Sequence, residues 1–232
     1  MLGRAVVLAA AVVFAAAAPA HAAKIERLSR PGKLSYFAFV EKAETVRAQP
    51  KASARKVSKL TKKSPEGTDD LVAVLDRTTV KDKVWLRVRL PIRPNGTTGW
   101  VRGSEVQGRD VGERIEVDLS EHRLWRVANG RTVASYVVGV GAADSPTAPG
   151  HFFVWARVPS DPAGPYGVFA LGLSGFSDVI TDWVGGGRLA IHGTSHPSDR
   201  GEDVSHGCIR VFNPQMQLLS DVSLGTPVWI HR

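Results

Sequence analysis

The stretch IHGTSHPSDRGEDVSHGCIR, residues 191–210, holds the sole cysteine of the 232-residue chain and three of its seven histidines. A thiol attacks only as the thiolate, and a neighbouring imidazole is the usual means of making one near neutral pH. Cys208 and the candidates His192, His196 and His206 supply those parts. Pro197 and Gly201 rule out one continuous helix, so any meeting of Cys and His here takes place across a folded loop. RLAIH, residues 188–192, reads as a buried strand ending in a polar residue, which sets His192 at a strand terminus. A helix is signalled only afterwards, from Asn213 as N-cap and Pro214 at the first helical position to about Val222, with Leu218, Leu219 and Val222 as its apolar face.

The short elements around the cysteine suggest roles. Gly193 lets the chain turn sharply, and its carbonyl is available to orient the His192 ring. Ser205, His206 and Gly207 lead into Cys208, and Gly207 permits close backbone approach. The amides of Gly207 and Cys208 therefore make a candidate oxyanion pocket. If the chain is extended at 208–210, Arg210 shares a face with Cys208 and can receive a substrate carboxylate on its guanidinium. His192 and His196 have the spacing of a helical metal pair, but Gly193 and Pro197 oppose the helix that would align them. No metal site and no cofactor are expected.

Outward from this stretch the chain reads as many short strands. VWLRVRL, residues 84–90, alternates strictly, with Leu86, Val88 and Leu90 on one face and Trp85, Arg87 and Arg89 on the other, as in a half-buried strand. LVAVLD precedes it, and RPNGTTGWV follows with a turn at Pro94, Asn95 and Gly96. Residues 45–65, rich in Lys, Ala and Ser, read as loop, with a short helix between Ser53 and Leu60 as an option. Gln107–Gly112 reads as a linker. RIEVDL, RLWRV, TVASYVVGVG, GHFFVWARV, GVFALGL and PVWIH continue the strand pattern. The expected fold is mostly β, with a small N-terminal barrel over residues 35–107, a β-rich domain over 112–232, and one or few short helices.

Composition sets the setting. With 43% hydrophobic and 22% charged residues the chain can bury a core. Residues 1–22 have one cation, an apolar run from Ala5 to Ala18, and small residues at Ala20 and Ala22. That is the pattern of an export signal cleaved after about Ala22, followed by a linker over 23–34. The run, about 14 residues, falls short of the roughly 20 that span a bilayer, so no transmembrane span is expected in the mature protein. A single cysteine in an exported chain forms no internal disulfide, and keeping a lone thiol there asks for a chemical reason. The net charge of +8 divides into +10 over residues 23–107 and −3 over 108–232, the remainder being Arg4. A basic N-terminal half is suited to an anionic envelope polymer; nucleic acid is not an expected partner, and a monomer is expected.

The I-H-G-T element followed by S-H-G-C-I-R resembles the signature of the L,D-transpeptidase family of cell-wall enzymes. S-P-T-A-P-G-H-F (Ser145–Phe152) and the run Gly164–Ser177 are similar to further elements of that family. The pattern TVRAQP, VWLRVRL, NGTTGWV resembles the bacterial SH3-like domain. The first resemblance implies a periplasmic or cell-wall cysteine acyltransferase acting on peptidoglycan stem peptides, with possible carboxypeptidase activity when water replaces the acceptor. It implies Cys208 as nucleophile, His192 as general acid and base, the Gly193 carbonyl as the group orienting it, and His206, Arg210, Ser205 and Gly207 as residues that bind substrate or shape the site. The second implies a non-catalytic module. An exported cysteine peptidase generally places its cysteine before its histidine, and sortase-like enzymes leave a wider gap than the 16 positions from His192 to Cys208. A wall-binding protein without activity needs neither residue.

Overall fold

The computed structural model describes residues 24–31, 33–64, 67–182 and 185–232. The export signal expected over residues 1–22 lies outside them. Among the described residues the fold is mostly β, with one short α-helix and two brief 3₁₀ turns.

The first sheet is built from β1 (Glu26–Arg27), β2 (Ser35–Val40), β3 (Glu44–Arg47), β4 (Lys56–Leu60), β5 (Leu71–Val80), β6 (Lys83–Arg89), β7 (Thr98–Arg102) and β8 (Val106–Val111). They pair antiparallel in the order β4-β3-β7-β6-β5-β2-β8, with β1 beside β5. Lys81 and Asp82, at φ 49° and 60°, close the two-residue turn between β5 and β6. Positive φ at both positions matches the right-handed twist of the strands they join. Val72, Val74, Val88 and Leu90 turn to one core, with Leu86 packed against it, as the alternation of 84–90 predicts. The opposite face is not open. Trp85, expected outward, is 5% exposed, and its cross-strand partner Thr78 is 2% exposed. Thr78 Oγ1 donates to the Lys24 carbonyl, so the N-terminal segment helps to cover that face. Two stretches read as non-strand hold strands: the loop expected over 45–65 contains most of β3 and all of β4, which takes the place of the optional helix, and the linker expected at Gln107–Gly112 is mostly β8. β4 and β8 are the edge strands, with β8 largely exposed and β4 only partly covered.

The second sheet collects β9 (Glu113–Asp118), β10 (Arg123–Ala128) and β11 (Arg131–Val137), then, past the two-residue β12 (Val140–Gly141), β13 (Gly150–Pro159), β14 (Phe169–Phe176) and β15 (Arg188–Thr194). β16 (Asp203–Ser205), β17 (Ile209–Phe212), the helix α1 (Asn213–Gln217) and β18 (Pro227–His231) complete the chain. The order is β11-β10-β9-β18-β13-β14-β15-β17, while β12 and β16 pair with each other. β9 with β18 and β15 with β17 are parallel; the other neighbours in the large sheet are antiparallel. The helix is shorter than expected. After Gln217 the chain continues in turns that still bury Leu219 and Val222 but leave Leu218 62% exposed. Asn213 does not cap the helix: Phe212 takes that position, and Asn213 Oδ1 instead accepts the Val168 amide at 3.2 Å.

The two sheets share a core. Phe37, Leu71 and Val111 of the first pack with Phe153, Trp155 and Ala156 of the second. Trp155, 2% exposed, donates its indole N–H to Asp70 Oδ1 at 2.9 Å, and the Arg188 guanidinium lies 3.8 Å from its ring centre. A second joint forms at the β6–β7 turn. Arg93 donates to the carbonyls of Ser177, Ile180 and Gly186, while Asn95 exchanges two hydrogen bonds with the Phe176 backbone. Trp155→Ala is expected to lower the unfolding free energy by about 3–5 kcal/mol, because it leaves a cavity and takes one hydrogen-bond donor from the buried Asp70 carboxylate. Urea unfolding followed separately by probes in each sheet checks this. A loss under about 1 kcal/mol would show that Trp155 does not hold the shared core.

Candidate active site

The site follows from register. Ile191 of β15 and Ile209 of β17 are opposite one another, fully buried, and both belong to the main core of the second sheet. Successive side chains of a strand point to opposite faces. His192 and its partner Arg210 therefore turn to the other face, and Cys208 lies just ahead of β17, two residues before Arg210. Cys208 lies alongside Ala190, whose backbone interacts with the thiol. The sequence set His192 at the end of a strand over 188–192; in the structure β15 runs on to Thr194, and Cys208 immediately precedes the parallel neighbour β17.

His192 is 3% exposed and its Nδ1 lies 2.8 Å from the Gly193 carbonyl oxygen. A carbonyl oxygen only accepts, so Nδ1 carries the hydrogen and the lone pair of the neutral ring sits on Nε2. Burial drives the imidazole pKa down to about 4 against the opposing pull of the Gly193 carbonyl. Arg210 lowers it further, and Asp199 acts in the raising direction. At pH 7 the ring is a neutral base. Burial also pushes the Cys208 thiol upward, while the Ala190 backbone and the Arg210 charge pull it back. Burial thus favours the neutral form of both the thiol and the imidazole.

Each neighbouring residue has a definite attachment. Ser205, 2% exposed, donates to the Cys208 carbonyl at 2.6 Å and accepts the Gly207 amide at 3.1 Å, stapling the turn ahead of the cysteine. That commits the Gly207 amide, so the oxyanion pocket expected from Gly207 and Cys208 together loses one of its two donors. Gly207 has φ 106°, a conformation that side-chain-bearing residues rarely adopt. His206 is exposed, and so is His196 on its loop. Among the described residues no group of three or more His, Cys, Asp or Glu side chains gathers to hold a metal ion.

The structure adds residues that the pattern did not single out. Asp199, 8% exposed, takes the Thr194 hydroxyl at 2.6 Å and Arg210 Nη1 at 3.3 Å on one oxygen. It holds the guanidinium beside the thiol and the imidazole. Residues 191–210 contain three carboxylates, Asp199, Glu202 and Asp203, and spacing gave no means of choosing among them. Tyr166 meets the His192 ring edge-on with centres 5.2 Å apart. Behind His192, a Cβ on Gly193 would strike Asn213 Oδ1 and come within 2.9 Å of the Val168 amide nitrogen, so β15 and α1 meet there without room for a side chain.

Residues 112–230 match the family described as the L,D-transpeptidase catalytic domain. A Bacillus licheniformis protein provisionally named an L,D-transpeptidase is 36% identical over 118 residues, which is 50% of this chain and 64% of that protein. Its counterpart from Bacillus subtilis is 34% identical over 119 residues, 51% of this chain and 65% of that protein. The chain thus spans a little under two thirds of the length of these curated relatives. Among solved structures, an L,D-transpeptidase mutant from Enterococcus faecium is similar at 25% identity and a TM-score of 0.41, over 52% of this chain and 50% of that one.

Proposed function

The chain belongs to the L,D-transpeptidase catalytic-domain family, and from that premise we propose that it is an exported cysteine acyltransferase working on peptidoglycan stem peptides. Cys208 Sγ attacks the carbonyl of the third stem residue as its proton passes to His192 Nε2. The C–N bond to the terminal D-alanine breaks, His192 returns the proton to the departing amine, and a thioester remains. An amine from a neighbouring stem then displaces the thiol to give a cross-link, or water displaces it to give a shortened stem.

The observation that carries this reading is the His192 ring beside the cysteine strand, with Nδ1 tied to the Gly193 carbonyl and Nε2 left as the basic atom. Ser205 supports it by fixing the cysteine backbone, and Asp199 by anchoring Arg210, the residue suited to a stem carboxylate. In the same reading residues 1–22 direct export to the periplasm or cell wall and the active protein is a monomer. Residues 35–107 form a basic SH3-like module, drawn to an anionic envelope polymer, ahead of a catalytic domain over 112–232. Among the described residues no helix is long and apolar enough to cross a membrane.

Purified protein incubated with a stem tetrapeptide is expected to yield free D-alanine and a protein heavier by the acyl tripeptide, resolved by mass spectrometry. Added acceptor amine is expected to convert the adduct into a cross-linked product. Intact tetrapeptide with unmodified protein would sink the proposal.

A further inference from the structure

An opening lies at the junction of the two sheets, away from residues 188–212. It is a cleft of about 270 Å³ lined by Arg89 from the end of β6, by Pro31, and by Arg114, His151 and Trp229 from the second sheet. Its charges are unequal. Arg114 is matched by Glu116 at 2.9 Å, and Glu116 also meets His231. Arg89 is different: its Nε is buried without a hydrogen-bond partner, and among the described residues no carboxylate forms an ion pair with it. The sealed Nε leaves Arg89 poorly solvated, and the half-buried guanidinium carries a charge that no carboxylate offsets, a cost that an oxyanion on its remaining N–H groups would reduce. The surroundings do not compensate. Burial and Arg87 both weaken Arg89's hold on its proton, and burial with the Arg89 charge pushes His151 below its ordinary value. Trp229, 39% exposed, stacks at 5.6 Å on His151, which gives the cleft a flat aromatic wall beside the uncompensated cation.

We propose that this cleft is an oxyanion-binding site, in which Arg89 receives a carboxylate or phosphate group on a ligand that bridges the two sheets. The fork of the guanidinium fits either group with paired N–H donors, and the aromatic wall excludes water from one side of the contact. Because the lining comes from both sheets, occupancy would favour the joined arrangement over any state in which they part. The site is independent of the chemistry at Cys208 and stands or falls separately from it.

The test uses the whole protein at pH 7, titrated with inorganic phosphate or with acetate while chloride is withdrawn to hold ionic strength constant. The Trp229 indole N–H and the His151 ring are followed by NMR. Saturable shifts at both are expected, with Arg89→Gln weakening the apparent affinity about tenfold or more and Arg89→Lys giving a smaller loss. Saturation by phosphate alone identifies a phosphoester ligand, and saturation by acetate alone a carboxylate; either supports the site. Linear shifts with both ions, or equal affinity in wild type and Arg89→Lys, would overturn it, and the Lys variant carries the comparison if the Gln variant fails to fold.

Discussion

Cys208→Ala protein is expected to release D-alanine from a stem tetrapeptide at less than about one-thousandth of the parental rate, because loss of a covalent nucleophile removes the whole acylation route. The loss should be specific to chemistry. Cys208 is half-buried, and apart from the contact of its thiol with the Ala190 backbone the turn is fixed by Ser205 and by the cysteine's own backbone. The variant should therefore keep its unfolding midpoint and still bind tetrapeptide. The decisive measurement is intact-protein mass after incubation with a carbapenem, a β-lactam class with which this family reacts. No adduct is expected on Cys208→Ala, and an adduct of unchanged yield would place the nucleophile elsewhere.

His192→Gln is expected to cost about 10²–10⁴ in kcat/KM, the usual contribution of a positioned general base. Its second signature is the pH profile. The His192 pKa in the folded protein, about 4, lies below the ordinary value of 6.5. The ring is therefore neutral and competent at pH 7, and the acid limb of kcat/KM assigned to it should be centred near 4. The sign for stability is fixed by the same shift. A group with a depressed folded pKa that must be neutral contributes fully above the unfolded value, and loses that contribution as pH falls from about 6.5 towards 4. The amount is on the order of 3 kcal/mol. Wild-type protein should lose stability across that window, whereas His192→Gln should show a flatter profile. Equal slopes in the two proteins would mean that the buried imidazole is not what titrates.

What could be read from the sequence follows the physics of exposure. Inward-facing strands such as 84–90 announce themselves by alternation, and the strand that carries His192 was legible as an apolar run, although it continues to Thr194. The edge strands β4 and β8 were not. An edge strand has one open flank, and charged residues there discourage pairing with other chains, so its composition looks like that of a loop. The helix at Asn213 was legible in its start and not in its length, because Leu219 and Val222 are buried by turns just as effectively as by helix. At the candidate site, the contact of the Gly193 carbonyl with the His192 ring was legible from local chemistry. Asp199 and Tyr166 were not, since each reaches the site through tertiary packing that no spacing encodes. The commitment of the Gly207 amide to Ser205 was likewise invisible until the turn was folded.

The bond from Trp155 to Asp70, together with the hold of Arg93 on the loop after β14, bears on how this chain can be recombined. An exchange that replaced residues 35–107 with an unrelated module would delete Phe37 and Leu71 from beneath Phe153, remove the acceptor of the Trp155 indole, and release the backbone groups of Phe176, Ser177, Ile180 and Gly186. A workable graft would have to carry a matching acceptor and apolar pair with it. Genetic shuffling and protein engineering should accordingly find the seam near residue 112 a poor place to cut, however neatly the charge and motif boundaries suggest it.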